Sequence, residues 1–172
     1  MDPIETLVRN FQDLVAQVPD TVQPLIVMLA GAIPFIEGEG ASPIGLLGGI
    51  HPLVAGVAAA SGNFLCVLVV VLLSSRTRTA AMTRLARRSR TPAEPKPESR
   101  GRRRFRRFLV RFGVPGASLL GPLAVPTQIT SAMLVASGTP RGRVLFWQAV
   151  AIVLWTTLTT TLLWSMLSAV MA

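Results

Sequence analysis

Two carboxylates stand two residues apart in a stretch that otherwise carries no charge. Glu37 and Glu39 are the only charged side chains between Val22 and Ser75, and Gly38 and Gly40 alternate with them. An ionisable group inside a membrane segment is costly and is a functional candidate by default. Burial and a neighbouring carboxylate both favour the protonated form of a carboxyl, so such a pair could hold a proton that exchanges with one side or the other. The plainer reading is a wet turn with two solvated glutamates. Thr127, Gln128, Thr130 and Ser131 form a second polar set without charge. They could donate to a phosphate at the N-terminus of a half-helix, or simply satisfy broken backbone. Arg141 could pair with phosphate in a bidentate way, or anchor the chain at the interface. Asn63 is either a bond between helices or a ligand.

Other chemistries find no support. His51 has no partner at metal-ligand spacing, and the single Cys66 excludes an internal disulfide and a cysteine zinc site. There is no nucleophile–base pair and no GxxxxGK phosphate loop, so neither an enzyme nor a nucleotide-driven pump is expected, and no cofactor.

The elements that would position these groups are apolar. Of 172 residues, 51% are hydrophobic and 15% charged, where a soluble domain carries about a quarter charged. The charge is also clustered. Fourteen of the 17 basic residues lie between Arg76 and Arg111, and Val144 to Ala172 has none. Sixteen arginines to one lysine suggest a GC-rich, bacterial genome.

Residues 1–20 read as an amphipathic helix, with Ile4, Leu7, Val8, Phe11, Leu14, Val15 and Val18 on one face, Asp2 as cap and Pro3 in the first turn. It is expected in the membrane interface, the alternative being a helix of a soluble bundle. Residues 24–51 start with a short apolar run broken at Pro34 and continue rich in glycine and proline, which predicts a re-entrant hairpin shielded from lipid. Residues 53–73 are 21 uncharged residues, long enough to span, with the small residues Gly56 to Gly62 suited to close helix contact and Asn63 expected to face protein. Residues 76–107 form a basic loop around a proline-rich linker, TPAEPKPES, at 91–99. Residues 108–138 are again broken, by Gly113, Pro115, Gly116, Gly121, Pro122 and Pro126, and residues 144–171 form a second span.

The positive-inside rule puts the basic loop in the cytoplasm. If Arg141 and Arg143 are also cytoplasmic, residues 108–138 begin and end on that side, and 24–51 enter from the other. The expected fold is an all-α integral membrane protein of two inverted repeats, each a re-entrant broken-helix hairpin plus a spanning helix, after an N-terminal amphipathic helix. Paired broken segments of this kind point to a transporter site near the midplane, where the two polar tips would meet. The arginine loop would contact anionic inner-leaflet lipid or fix topology, and nothing in it suggests nucleic-acid recognition.

The stretches AIPFIEGEGASPIG (32–45) and HPLVAGVAAASGN (51–63) resemble the first half of the small multidrug export family, within the DedA (VTT) superfamily of membrane proteins. The residues that carry this are Pro34, Glu37, Pro43 with Gly45, and Gly62 with Asn63. The stretch 111–138, with Arg141 and Trp155, is similar to the superfamily's second hairpin and helix. Two departures stand out. Gly38-Glu39-Gly40 lies where family members often carry an arginine, and Thr127-Gln128-Ile129-Thr130 follows Pro126 where glycine is frequent. The resemblance implies a multi-pass protein of the cell (inner) membrane that moves a lipid-linked carrier such as a polyprenyl phosphate, with ion coupling. A homo-oligomer is expected, because two spans enclose little volume. Export of hydrophobic cations with Glu37 as counter-charge, or a scaffold acting through its arginine loop, are the rival expectations.

Overall fold

The computed structural model describes residues 3–88 and 100–171, and these are all-helical. The proline-rich linker at 91–99 and the cap expected of Asp2 lie outside the described residues. Seven α-helices follow one another: α1 (Pro3–Gln17), α2 (Gln23–Gly31), α3 (Glu37–Leu47), α4 (Pro52–Arg88), α5 (Arg100–Leu120), α6 (Thr127–Ala136) and α7 (Arg141–Met171), with a 3-10 turn at Gly121–Leu123. The chain divides into two compact units, residues 1–67 with 148–172, and residues 68–147.

Two helices are long and apolar enough to cross a membrane, Pro52–Ala80 within α4 and Arg141–Val170 within α7. A helix buried in a soluble core has neighbours on most sides. Here only 28% and 22% of the two apolar stretches is buried. Leu53, Val57, Leu65, Val69 and Leu73 on α4, and Phe146, Val153, Leu154, Leu162 and Met166 on α7, lie on the surface. Exposed apolar area on this scale marks contact with lipid or another protein. The buried residues of each helix fall on one stripe at steps of three and four. They are Ala55, Ala59, Gly62, Asn63, Val67 and Val71 on α4, and Val144, Gln148, Ala151, Ile152, Thr156 and Thr160 on α7.

In the first unit, Leu7, Val8, Phe11 and Val15 of α1, with Val18 just beyond it, pack onto a core of Ile26, Val27 and Ala30 from α2, and Ile36, Ala41 and Ile44 around α3. The apolar stripe that would enter a membrane interface is thus largely covered by protein, while Ile4 and Leu14 remain exposed. Helix α2 stops at Gly31 because Pro34 disfavours helix in the residue before it, the chain turns between Ala32 and Ile36, and α3 stops at Leu47 ahead of Gly49, whose φ is 85°. Contact between α2 and α4 is at backbone distance. A Cβ on Gly31 would overlap the Ala59 carbonyl, and one on Gly62 the Met28 carbonyl. Small residues allow such approach where packing, not the hydrophobic effect, holds helices together.

In the second unit, α4 continues as helix through the first arginines of the basic stretch, and α5 is helical from Arg100. Arginine is a good helix former, so charge alone does not end a helix. Gly113 does interrupt α5. Its φ of 66° with ψ of −172° lies where only glycine is comfortable, and it separates the arginine-rich part from the apolar part. Helix α6 ends with Thr139 N–H donating to the Leu134 carbonyl (3.1 Å) around Gly138, whose φ is 102°, the left-handed stop common at helix C-termini.

Candidate functional site

In the first unit the glutamates sit where the chain changes direction. Phe35 and Glu37 both have positive φ, 72° and 52°. For residues with a side chain this backbone is strained, and such strain gathers at functional sites. Glu37 opens α3 and is buried, with 5% of its surface exposed. Glu39 is half-buried, and its Oε1 is fully covered with no hydrogen-bond partner. Pro43 lies within α3, so it has no N–H to give the Glu39 carbonyl four residues before it.

This corner of α3 meets α7 through Gly38. A Cβ there would overlap the Thr156 hydroxyl, so only glycine brings α3 this close. Thr156 Oγ1 is buried without a partner, and so are Ser42 Oγ, one turn on from Gly38, and both polar atoms of Gln148, two turns before Thr156 on α7. Thr160, one turn beyond Thr156, is also buried and donates its hydroxyl to the Thr156 carbonyl (2.6 Å), a bond that serves the helix itself. Buried polar atoms in native proteins are nearly always paired, with protein or with ordered water. Glu39, Ser42 and Thr156, each within about a turn of the Gly38–Thr156 contact, therefore mark a place built for something other than packing.

Asn63 is fully buried on α4. His51 is exposed, and its Nδ1 accepts the Leu53 N–H (3.3 Å) at the start of α4, a capping role. Between α4 and α7 runs a groove of about 390 Å³ walled by Gly56, Val57, Ala60, Val153 and Thr157, with His51 and Trp164 also on its lining.

The second unit holds the other polar set. Thr127, Gln128, Thr130 and Ser131 are all buried in the first turns of α6, behind Pro126. Part of this polarity serves the helix. Ser131 Oγ donates to the Thr127 carbonyl (2.6 Å), and Thr127 Oγ1 donates to Gln128 Oε1 (3.4 Å). A Cβ on Gly121 would lie 3.1 Å from the Thr130 side chain, so the turn before α6 folds closely over it. Arg78 reaches the far end of α6, with its guanidinium 3.2 Å from where a Cβ on Gly138 would sit. A cation there complements the negative end of the helix dipole. Arg141 is exposed at the start of α7. Arg143 lines a pocket of about 450 Å³ with Leu109, Gly113, Pro115 and Trp147.

The two polar sets thus lie in different units. Sequence reasoning found the polar tips, Glu37 to Ser42 and Thr127 to Ser131, but missed Gln148 and Thr156. The run from Val144 has no charge and reads as uniformly apolar. The available signal was spacing, since Gln148, Thr156 and Thr160 recur at multiples of four and so share one face. Among the described residues no three His, Cys, Asp or Glu side chains gather as a transition-metal site would require. No family model, curated protein or solved structure matches the chain.

Proposed function

We propose that this chain is an ion-coupled membrane transporter for a lipid phosphate of the polyprenyl-phosphate kind, with the carboxyl-bearing unit handling the coupling ion and the basic unit handling the anionic headgroup. The observation that carries the reading is the set of buried polar atoms without partners around Glu39, Ser42, Gln148 and Thr156. A purely structural helix pair gains nothing from leaving these groups unpaired, at a cost of about 1–3 kcal/mol each. A protein that passes ions through the seam needs them.

Charge supports the division of labour. Residues 1–67 with 148–172 contain six acidic residues against one arginine, whereas residues 68–147 contain 16 basic residues against two glutamates. The hydroxyl and amide groups at the start of α6 lie in that basic unit, and a helix N-terminus favours anions. On this reading α4 and α7 cross the membrane, the arginine-rich stretch is cytoplasmic and contacts anionic lipid, and both broken helix pairs are re-entrant with opposite sense. The resemblance to small multidrug export proteins and the DedA superfamily points the same way, and a homo-oligomer would supply the volume that two spans lack.

The test uses the purified protein in vesicles with a fluorescent short-chain polyprenyl phosphate, scoring its movement between leaflets under an imposed proton or sodium gradient. Gradient-driven movement that Glu37→Gln abolishes is the expected result. Movement of a hydrophobic cation in place of the lipid phosphate would transfer the reading to cation export. Full activity in Glu37→Gln would remove the carboxyl from the mechanism.

A further inference from the structure

We infer that the α3–α7 seam of the first unit is a binding site for a hard monovalent cation, sodium, held by Glu39, Ser42 and Thr156. The inference rests on the transporter reading only for its purpose, since it would supply the coupling ion.

The chemistry is in the donor set. Three side-chain oxygens are buried without a partner: Glu39 Oε1 and Ser42 Oγ, less than one turn apart on α3, and Thr156 Oγ1 on α7. Glu39 and Ser42 are three residues apart and so share a face of α3. Thr156 joins them from α7 because its hydroxyl lies against Gly38, one turn before Ser42. Ser42 and Thr156 are themselves 0% and 2% exposed. Pro43 has no N–H to offer the Glu39 carbonyl, so the usual helical bond to that oxygen is not made. Broken helices in transporters use such freed carbonyls to coordinate ions.

All of these donors are oxygens, which suit hard cations and not zinc or copper. Among these three donors Glu39 alone carries a charge. Calcium and magnesium sites normally draw on more carboxylate or on phosphate, so the charge balance selects a monovalent ion. A phosphate is excluded from this seam, since the unit that contains it holds six acidic residues and one arginine. Gly38 is what the site requires of α3, because any side chain there would displace Thr156.

Sodium binding to the full-length protein in detergent tests this without reference to transport. The unfolding temperature, followed by tryptophan fluorescence, is measured at constant ionic strength as choline is replaced by sodium or potassium. A saturable rise with sodium alone is expected. Ser42→Ala and Thr156→Val should each weaken the apparent sodium affinity by about ten-fold, the scale of losing one bond to a charged group. Thr156→Ser, which keeps the hydroxyl, should retain it, and Ser118→Ala, a buried hydroxyl of the other unit, should leave the response unchanged. The absence of a sodium-specific rise in the wild type would overturn the inference. So would an equal response in Ser42→Ala and Thr156→Val, or a response that follows pH alone. Lipid-phosphate movement without sodium binding would overturn only this site. Sodium binding without movement of any lipid would overturn only the transporter reading.

Discussion

The two units solve opposite problems with similar elements. Each places a short helix after a break that contains proline and buries polar residues in its first turns: Glu37 and Ser42 on α3, Thr127, Gln128, Thr130 and Ser131 on α6. On α3 the polarity is acidic and left partly unpaired, with Glu39 Oε1 and Ser42 Oγ lacking partners. On α6 it is neutral and partly used up internally, through Ser131 to the Thr127 carbonyl and Thr127 to Gln128. A broken helix that satisfies itself needs no ligand to be stable. One that does not satisfy itself keeps atoms available for an ion. The difference lies in side-chain chemistry and in backbone, since α3 is entered through positive φ at Phe35 and Glu37 and contains Pro43, and α6 has neither feature.

The largest expected effect separates packing from chemistry at α3. Gly38→Val forces a branched side chain into Thr156 and should cost about 3 kcal/mol or more, the upper end for overpacking. Gly142→Val in α7 meets nothing within 4 Å and should change the unfolding midpoint far less. Chemical unfolding in detergent reads both, and an equal effect at the two positions would mean that the α3–α7 contact is not tight.

Next comes Glu37→Gln, expected to abolish ion-coupled transport while insertion and folding persist. Glu39→Gln, which removes the charged ligand of the proposed sodium site, should abolish the sodium dependence while lipid movement itself persists in part. A vesicle assay beside an unfolding curve distinguishes lost function from lost fold, and a Glu37→Gln protein with wild-type rates would break the contrast between the units.

Smaller effects are expected on the basic side. Ser131→Ala removes one internal bond of α6 and should destabilise by about 1 kcal/mol. Arg78→Gln removes the cation at the C-terminal end of α6 and should cost about 0.3–1 kcal/mol, lessening as salt is added. A loss from Arg78→Gln that is larger and insensitive to salt would give Arg78 a role beyond the helix dipole.

Particular residues show what was legible in advance. Pro34 and the glycines around Glu37 announced a broken segment, and the chain does turn there. The apolar runs from Leu53 and Val144 announced two long helices, and these are present. The arginine stretch concealed its structure, since α4 runs on to Arg88 and α5 starts at Arg100. Clustered charge reads as loop by hydropathy, although arginine has high helix propensity. The inward row Gln148, Thr156 and Thr160 was hidden because hydropathy averages around a helix and loses which face a residue occupies. The pairing of Gly38 with Thr156 was beyond reach, because it joins residues far apart in sequence and no local pattern records it.

A membrane placement with the arginine stretch on the inner side is tested by labelling single cysteines with an impermeant thiol reagent in a Cys66→Ser background, at Asp13, Ser89 and Ala172. Labelling of positions 13 and 172 in intact cells, with position 89 reactive only after permeabilisation, is the predicted result. Strong labelling of position 89 in intact cells would contradict it.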